Sequence, residues 1–154
     1  MKEVKLTRNF FAYINDEDFD KINKYKWNAH FNGHNNYARA RINNKMVYMH
    51  HFILGNPIDY IDHKDGNGLN NMKSNLRFCT NQMNQANRKI NKNNKSGYKG
   101  VSWSKEKKKW VVNITFNRKT IFFGYYTDLI SAAKKYDNEA KKLFGEFAKT
   151  NFDI

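Results

Sequence analysis

Apolar positions come in short runs along this chain, and the period of each run predicts the element beneath it. Residues 4–6 and 10–14 are brief apolar runs. Asn15 follows as a helix N-cap, with Asp16, Glu17 and Asp18 in the first turn, where acids favour the helix dipole. Phe19, Ile22 and Tyr25 then recur at near-helical spacing. Residues 27–31 and 37–42 read as strands, with 33–36 as the turn between them. In the second strand Arg39 and Arg41 alternate with Ala38, Ala40 and Ile42, which puts both arginines on one face. That face is either solvated or in contact with phosphate. Residues 45–52 and then Pro57, the only proline, lead to a short apolar run ending in Asp62 and His63. A loop rich in Gly and Asn follows, then a strand-like run at 77–79, then a helix opened by Thr80 and reaching about Arg88. On that helix Asn84, Asn87 and Arg88 share a face.

Residues 90–96 are polar and basic and lack periodicity, so they read as a linker or as a tether along a polyanion. Beyond them, 98–103, 109–116 and 120–124 predict three strands rich in aromatic and β-branched residues. In the middle one Trp110, Val112, Ile114 and Phe116 point one way, and Val111, Asn113 and Thr115 the other. Thr127 caps a final helix. Its Leu129, Ala132, Ala133, Tyr136, Ala140, Leu143 and Phe144 form one apolar stripe, and Gly145 stops it. Three strands and one amphipathic helix make a complete layered unit. The fold class expected is therefore α+β.

Charge narrows the partner. The formal net charge is +14 over 154 residues, which points to a polyanion, most simply nucleic acid. Residues 1–90 carry 14 Lys and Arg against 8 Asp and Glu, and residues 91–154 carry 14 against 6, so both halves are expected to face it. Cys79 is the only cysteine, which excludes an intramolecular disulfide and a Cys-cluster zinc site. No apolar run approaches the roughly 20 residues that cross a membrane, and the first residues lack the apolar core of a signal peptide. We expect a soluble cytoplasmic protein with no membrane partner.

The candidate chemistry lies between Tyr60 and Asn87. Asp62-His63-Lys64-Asp65-Gly66-Asn67, Ser74-Asn75-Leu76-Arg77 and Asn84-Gln85-Ala86-Asn87 set an Asn twelve residues after the His and another nine residues further on. That spacing, over roughly 46–88, resembles the HNH nucleases, in the branch of phage and mobile-element homing endonucleases whose last motif residue is Asn. The resemblance implies a ββα-metal element in which Asp62 and Asn84 hold one divalent metal ion, Mg²⁺ first and Mn²⁺ as the alternative. His63 would act as general base, and Asn75 would orient its loop. Read from chemistry alone, Asp62 could instead pair with a lysine and Asn75 could be a turn residue. Asp65, Asn67 and Asn71 read as loop-shaping. His50 and His51 are either structural or metal ligands; the family has His-Arg here, which makes His50 the matched position and His51 a departure. Arg77 and Arg88 are candidate phosphate clamps.

The second module resembles the AP2 DNA-binding domain, through Tyr98-Lys99-Gly100-Val101, Lys109-Trp110, Phe123-Gly124-Tyr125, Ala132-Ala133 with Tyr136-Asp137, and Phe144-Gly145 with Asn151-Phe152. The resemblance implies a three-stranded antiparallel sheet, packed on one helix, whose outer face enters the major groove. Carried over by position, the DNA contacts are Lys99, Ser102, Ser104, Lys109, Asn113, Thr115 and Thr120. Arginines dominate those contacts in the family and are absent from these positions, so its base preference does not transfer. The organisation expected is a nuclease domain over 1–90 with its ββα core at 46–90, a basic linker over 91–97, and the AP2-like domain over 98–154. The function expected is metal-dependent, site-recognising cleavage of double-stranded DNA by a monomer that nicks one strand. The rival is a non-catalytic DNA-binding regulator with a decayed nuclease half; an RNA-binding protein is a third option without a matching signature.

Overall fold

Alternation in the 37–42 segment becomes a strand with one buried face. In β4 (Asn36–Ile42), Ala38, Ala40 and Ile42 are buried, while Arg39 and Arg41 lie on the other side. The computed structural model describes residues 1–152. It is a mixed α/β structure of small antiparallel sheets and few helices, and it divides into two compact units, the first covering 1–80 and the second beginning at Asn81.

In the first unit β1 (Lys2–Lys5) pairs antiparallel with β2 (Phe11–Ile14). A one-turn helix, α1 (Phe19–Ile22), leads to a meander of β3 (Asn28–Phe31), β4 and β5 (Lys45–Tyr48). Asn43 and Asn44 both have positive φ, the conformation of a two-residue hairpin turn that Asn adopts readily. After β5 comes α2 (Met49–Ile53), and then β6 (Tyr60–His63) pairs with β7 (Leu76–Cys79). Ile14, Ile22 and Met49 sit fully buried at the centre of this unit's core, with Trp27, Leu69 and Leu76 around them.

The expected cap at Asn15 is not formed. Its Oδ1 accepts from the backbone N of Lys73 at 2.8 Å instead, so the side chain anchors the far end of the loop after His63. The helix expected from Asp16 through Tyr25 is a 3₁₀ turn at Asp16–Asp18 that runs into α1 and ends at Ile22.

The second unit opens with α3 (Asn81–Ala86), shorter than the run to Arg88 expected from sequence. Ala86 belongs to this unit's core, and α3 packs on the closing helix. Three strands follow: β8 (Val101–Ser104), β9 (Lys109–Phe116) and β10 (Lys119–Tyr126), in the order β10-β9-β8. Val112 and Ile114 are buried on the inner face against α4 (Leu129–Phe144), which carries Ala132, Ala133, Tyr136 and Ala140 inward. Thr127 is not the cap of α4. The helix starts one residue later, where the Asp128 carboxylate accepts from the Ser131 N at 2.6 Å; a charged acceptor beside the N-terminal dipole outcompetes the neighbouring hydroxyl.

The 91–97 stretch, expected to be a linker, is folded turn. Ser96 Oγ donates to Val101 O at 2.8 Å, and Asn94 Nδ2 donates to Tyr98 O at 2.9 Å. Gly100 has φ +72, and a Cβ there would lie 1.9 Å from the Tyr136 ring, so only glycine lets this turn close on the helix. Asp137, fully buried on α4, accepts from Asn151 N at 2.8 Å and Phe152 N at 2.9 Å, which binds the C-terminal segment to the helix.

Candidate active site

The β6–β7 pairing sets the site. Its register places Asp62 opposite Arg77 and His63 opposite Leu76. Strand alternation turns Asp62 and His63 to different sides of the hairpin, and both are buried. Asp62 is paired, with an arginine rather than a lysine: its Oδ2 accepts from Arg77 Nε at 2.9 Å and Nη2 at 2.8 Å. Arg77, a candidate phosphate clamp from sequence, therefore lies against the site's own carboxylate, only 10% exposed.

His63 is held by an amide. Asn71 Nδ2 donates to Leu69 O at 3.1 Å, which leaves Asn71 Oδ1 facing His63 Nε2 at 3.3 Å. An amide oxygen only accepts, so the proton of the neutral ring sits on Nε2 and the lone pair on Nδ1. Burial pushes the His63 pKa down, and the Asn71 hydrogen bond and the charges of Asp65 and Asp62 only partly offset it. The ring is therefore neutral at neutral pH, the state a general base requires. Asn71 is fully buried. Reading it as loop-shaping alone missed this contact. Its signal was weak, one Asn in a run where Asn67, Asn70 and Asn75 also stand.

Asn75 braces the loop. Its Nδ2 donates to Asp65 Oδ1 at 3.0 Å and to Asn70 O at 2.8 Å, and its Oδ1 accepts from Asp65 N at 3.1 Å. Burial raises the Asp65 pKa, but donors from Asn67, Asn70 and Asn75 outweigh it and leave the carboxyl below its ordinary value. Outside the loop, Tyr13 N donates to Leu69 O at 2.8 Å and Asn71 N to Tyr13 O at 2.7 Å. The N-terminal hairpin thus fastens the segment that holds His63. Gly68 is required where the loop crosses β4: a Cβ there would come within 2.6 Å of the Tyr37 ring.

Two aromatic rings flank His63. His50 stands edge-on to it at 4.9 Å between centroids and Tyr37 at 5.9 Å. His50 in turn stacks on Tyr48 at 5.5 Å. His50 is buried, its Nδ1 has no hydrogen-bond partner, and burial together with the neighbouring imidazoles pushes its pKa down to about 2. Among the described residues no group of three or more His, Cys, Asp and Glu side chains is placed to hold a metal, so His50, His51 and His63 do not assemble into such a site. Asn84 lies half-buried on α3 in the second unit, with Asn87 buried and Arg88 exposed.

On the second unit Ser102, Asn113, Thr115 and Thr120 lie on the sheet face opposite Val112 and Ile114. Ser104 and Lys109 pair at the end of that face, where Ser104 Oγ accepts from Lys107 N at 3.2 Å. Thr115 and Thr120 are joined through their hydroxyls at 3.4 Å. Lys99 is placed otherwise. Its ammonium donates to Ala86 O, and to Arg88 O at 2.7 Å, which satisfies carbonyls at the end of α3. Burial, with repulsion from Lys149, pushes its pKa down to about 8.

A buried carboxylate paired with Arg77 and a buried imidazole held by the Asn71 amide thus follow one another at the end of β6 on a small mixed α/β scaffold. No family model and no solved structure matches the chain. Two relatives do. A protein described as an uncharacterized HNH endonuclease of Acanthamoeba polyphaga mimivirus is 36% identical over 149 residues, covering 92% of this chain and 74% of that protein. Protein 3.8 of Escherichia phage T7 is 40% identical over 90 residues, covering 58% of this chain and 74% of that protein. The chain belongs to the HNH endonuclease family. No helix among the described residues is long and apolar enough to cross a membrane.

Proposed function

We propose that this protein is a site-recognising, divalent-metal-dependent DNA endonuclease, a strand nickase of homing type, in which a ββα-metal nuclease element is joined to an AP2-like reader of double-stranded DNA. The observation that carries the reading is the His63 environment: a buried, neutral imidazole whose Nε2 proton is fixed by Asn71 and whose neighbour in sequence is the Asp62 carboxylate. The described mimiviral relative, named as an HNH endonuclease, supports it.

By the HNH resemblance Asp62 would supply a carboxylate oxygen and Asn84 an amide oxygen to a hard cation, and water and DNA phosphate would complete its shell. When bound there, Mg²⁺ or Mn²⁺ supplies charge stabilisation at the phosphate and the departing oxygen. His63 Nδ1 takes the proton of the attacking water, while Asn71 keeps the ring from rotating. Arg77 offsets the Asp62 charge in the folded chain. Arg88, exposed beyond α3, meets backbone phosphate. The outer face of the β8–β10 sheet contacts bases.

A single constellation per chain attacks one strand at a time, so a monomer nicks. The test is supercoiled plasmid carrying the target, incubated with Mg²⁺ or with EDTA and with enzyme below plasmid concentration. Open circles with 5′-phosphate and 3′-hydroxyl ends should accumulate before linear DNA, only with metal, and His63→Ala should bind DNA but not cut it. Cleavage that persists in EDTA refutes the metal dependence, and absent cleavage refutes the nuclease reading and leaves the non-catalytic regulator. Direct conversion to linear DNA would make the active species a dimer.

A further inference from the structure

The outer face of the second unit's sheet has a composition that selects among base pairs. It presents Ser102, Val111, Asn113, Thr115, Thr120 and Phe122, none of them charged. Phe122 is 53% exposed and lies directly across from Asn113, and Tyr125, 45% exposed, lies across from Val111. The two rings touch edge to face at 5.0 Å. Aromatic side chains left this open beside an uncharged polar row imply a partner that covers them.

Charge is confined to the ends of the face. Lys105, Lys107, Lys108 and Lys109 cluster at the β8–β9 turn and Arg118 stands at the β9–β10 turn, all exposed, while Lys119, paired with Phe116, lies on the helix side. The intervening strand β9 has 8 residues, so the two basic turns stand about 25 Å apart at the usual rise per residue. That exceeds the width of a major groove, about 12 Å. Cationic turns therefore meet phosphates, and the uncharged middle meets base edges.

The groups in that middle are the ones that match A·T pairs. An Asn amide pairs with adenine N6 and N7, and apolar Phe and Thr methyl groups contact the thymine methyl; guanine calls for Arg or Lys, which the middle of the face lacks. We propose that the second unit reads A·T-rich duplex, with Asn113 selecting adenine and Phe122 the thymine methyl. The inference rests on the DNA-binding reading above and adds the class of target.

The experiment measures binding of the full chain in EDTA to duplexes of equal length, one A·T-rich, one G·C-rich, and one A·T-rich with uracil replacing thymine. Selection from a random duplex library supplies the ordered site. The A·T-rich duplex should bind at least about tenfold more tightly than the G·C-rich one, and uracil should weaken binding. Asn113→Ala should remove most of the preference while the salt dependence of binding stays unchanged. Asn113→Arg should move it toward guanine, a gain that unfolding cannot imitate. Phe122→Ala should make thymine and uracil duplexes equivalent. Equal binding of A·T and G·C duplexes, or a preference untouched by Asn113→Ala and Asn113→Arg, overturns this inference and leaves DNA binding standing. Failure to bind any duplex overturns both.

Discussion

His50 makes the first unit sensitive to acid in a way that can be calculated. In the unfolded chain its imidazole titrates near 6.5, and in the fold burial, then the charges of His63 and His51, push that value to about 2. Above 6.5 both states are neutral and His50 contributes no pH dependence. Below 6.5 the unfolded chain takes up a proton that the folded chain refuses, so stability falls as pH falls, by about 1.4 kcal/mol per unit. By pH 4.5 the loss from this group is about 3 kcal/mol, a large share of the stability of an ordinary domain. His63 and the carboxylates held below their ordinary values add losses of the same sign, so the measurement must be differential. His50→Phe keeps a ring against Tyr48 and His63 and removes both the titration and the unpartnered Nδ1. Urea unfolding of parent and variant between about pH 7 and about pH 4.5 should give curves that diverge below 6.5, the variant losing about 3 kcal/mol less. Parallel curves would show that His50 is protonated or hydrated in the folded chain, and the argument from its burial would fail.

Four other outcomes follow from particular contacts. Lys109→Ala should flatten the dependence of DNA affinity on salt by about one unit in the logarithmic slope, whereas Lys99→Met should leave the slope alone and lower thermal stability, because the Lys99 ammonium is bound to Ala86 O and Arg88 O; equal flattening by both would place Lys99 on phosphate. Asp62→Ala should cost about 3 kcal/mol or more of stability, since it removes the carboxylate partner of a guanidinium that is nearly buried, and pairing it with Arg77→Met should recover most of the loss; a cost below about 1 kcal/mol in urea unfolding contradicts the pairing. Gly100→Ala should disrupt the second unit, as a Cβ meets the Tyr136 ring at 1.9 Å, and an unchanged melting temperature would refute that clash. Asn71→Ala should lower the rate of cleavage by about tenfold or more through loss of the Nε2 contact, with DNA affinity unchanged; a parental rate would remove Asn71 from the site.

What was legible in sequence is what is local. Arg39 and Arg41 against Ala38, Ala40 and Ile42 needed only a period of two, and the α4 stripe only a helical period. Asp62 and His63 stand out as candidates because the motif is a spacing along the chain. The misreadings are competitions that local pattern does not register. Asn15 has the chemistry of a cap, but its oxygen is taken by a backbone N–H 58 residues away. Thr127 and Asp128 are both capable caps, and one residue of helix phase decides between them. Lys99, expected by position as a DNA contact, has carbonyls at the end of α3 beneath its ammonium, partners that only the fold brings to it. Asn71 is one amide among many, and only the turn at Leu69, fixed by Tyr13, points it at His63. The expected boundary after Ile90 has the same origin: the motif continues through Asn84, yet Ala86 is packed into the second unit's core.

The polar groups gathered around His63 bear on whether the first unit is a working nuclease or a relic. Asp62, His63, Asn71, Asn75 and His50 are all buried, and burying polar groups costs stability unless every one is satisfied. The loop amides are satisfied. The His50 Nδ1 has no partner and so retains that cost. Apolar residues of similar volume at such positions are often neutral or more stable, so stability alone gives no reason for this set. The proposed general-base role would give one: it asks for a neutral His63 fixed in tautomer, and Asn71, His50 and Tyr37 are the groups that surround the ring. A DNA-binding regulator with an idle first unit needs none of them. On the proposed nuclease reading, the cost of burying these polar groups is the cost of holding His63 neutral and fixed, and the cleavage assay with His63→Ala decides whether that role is exercised.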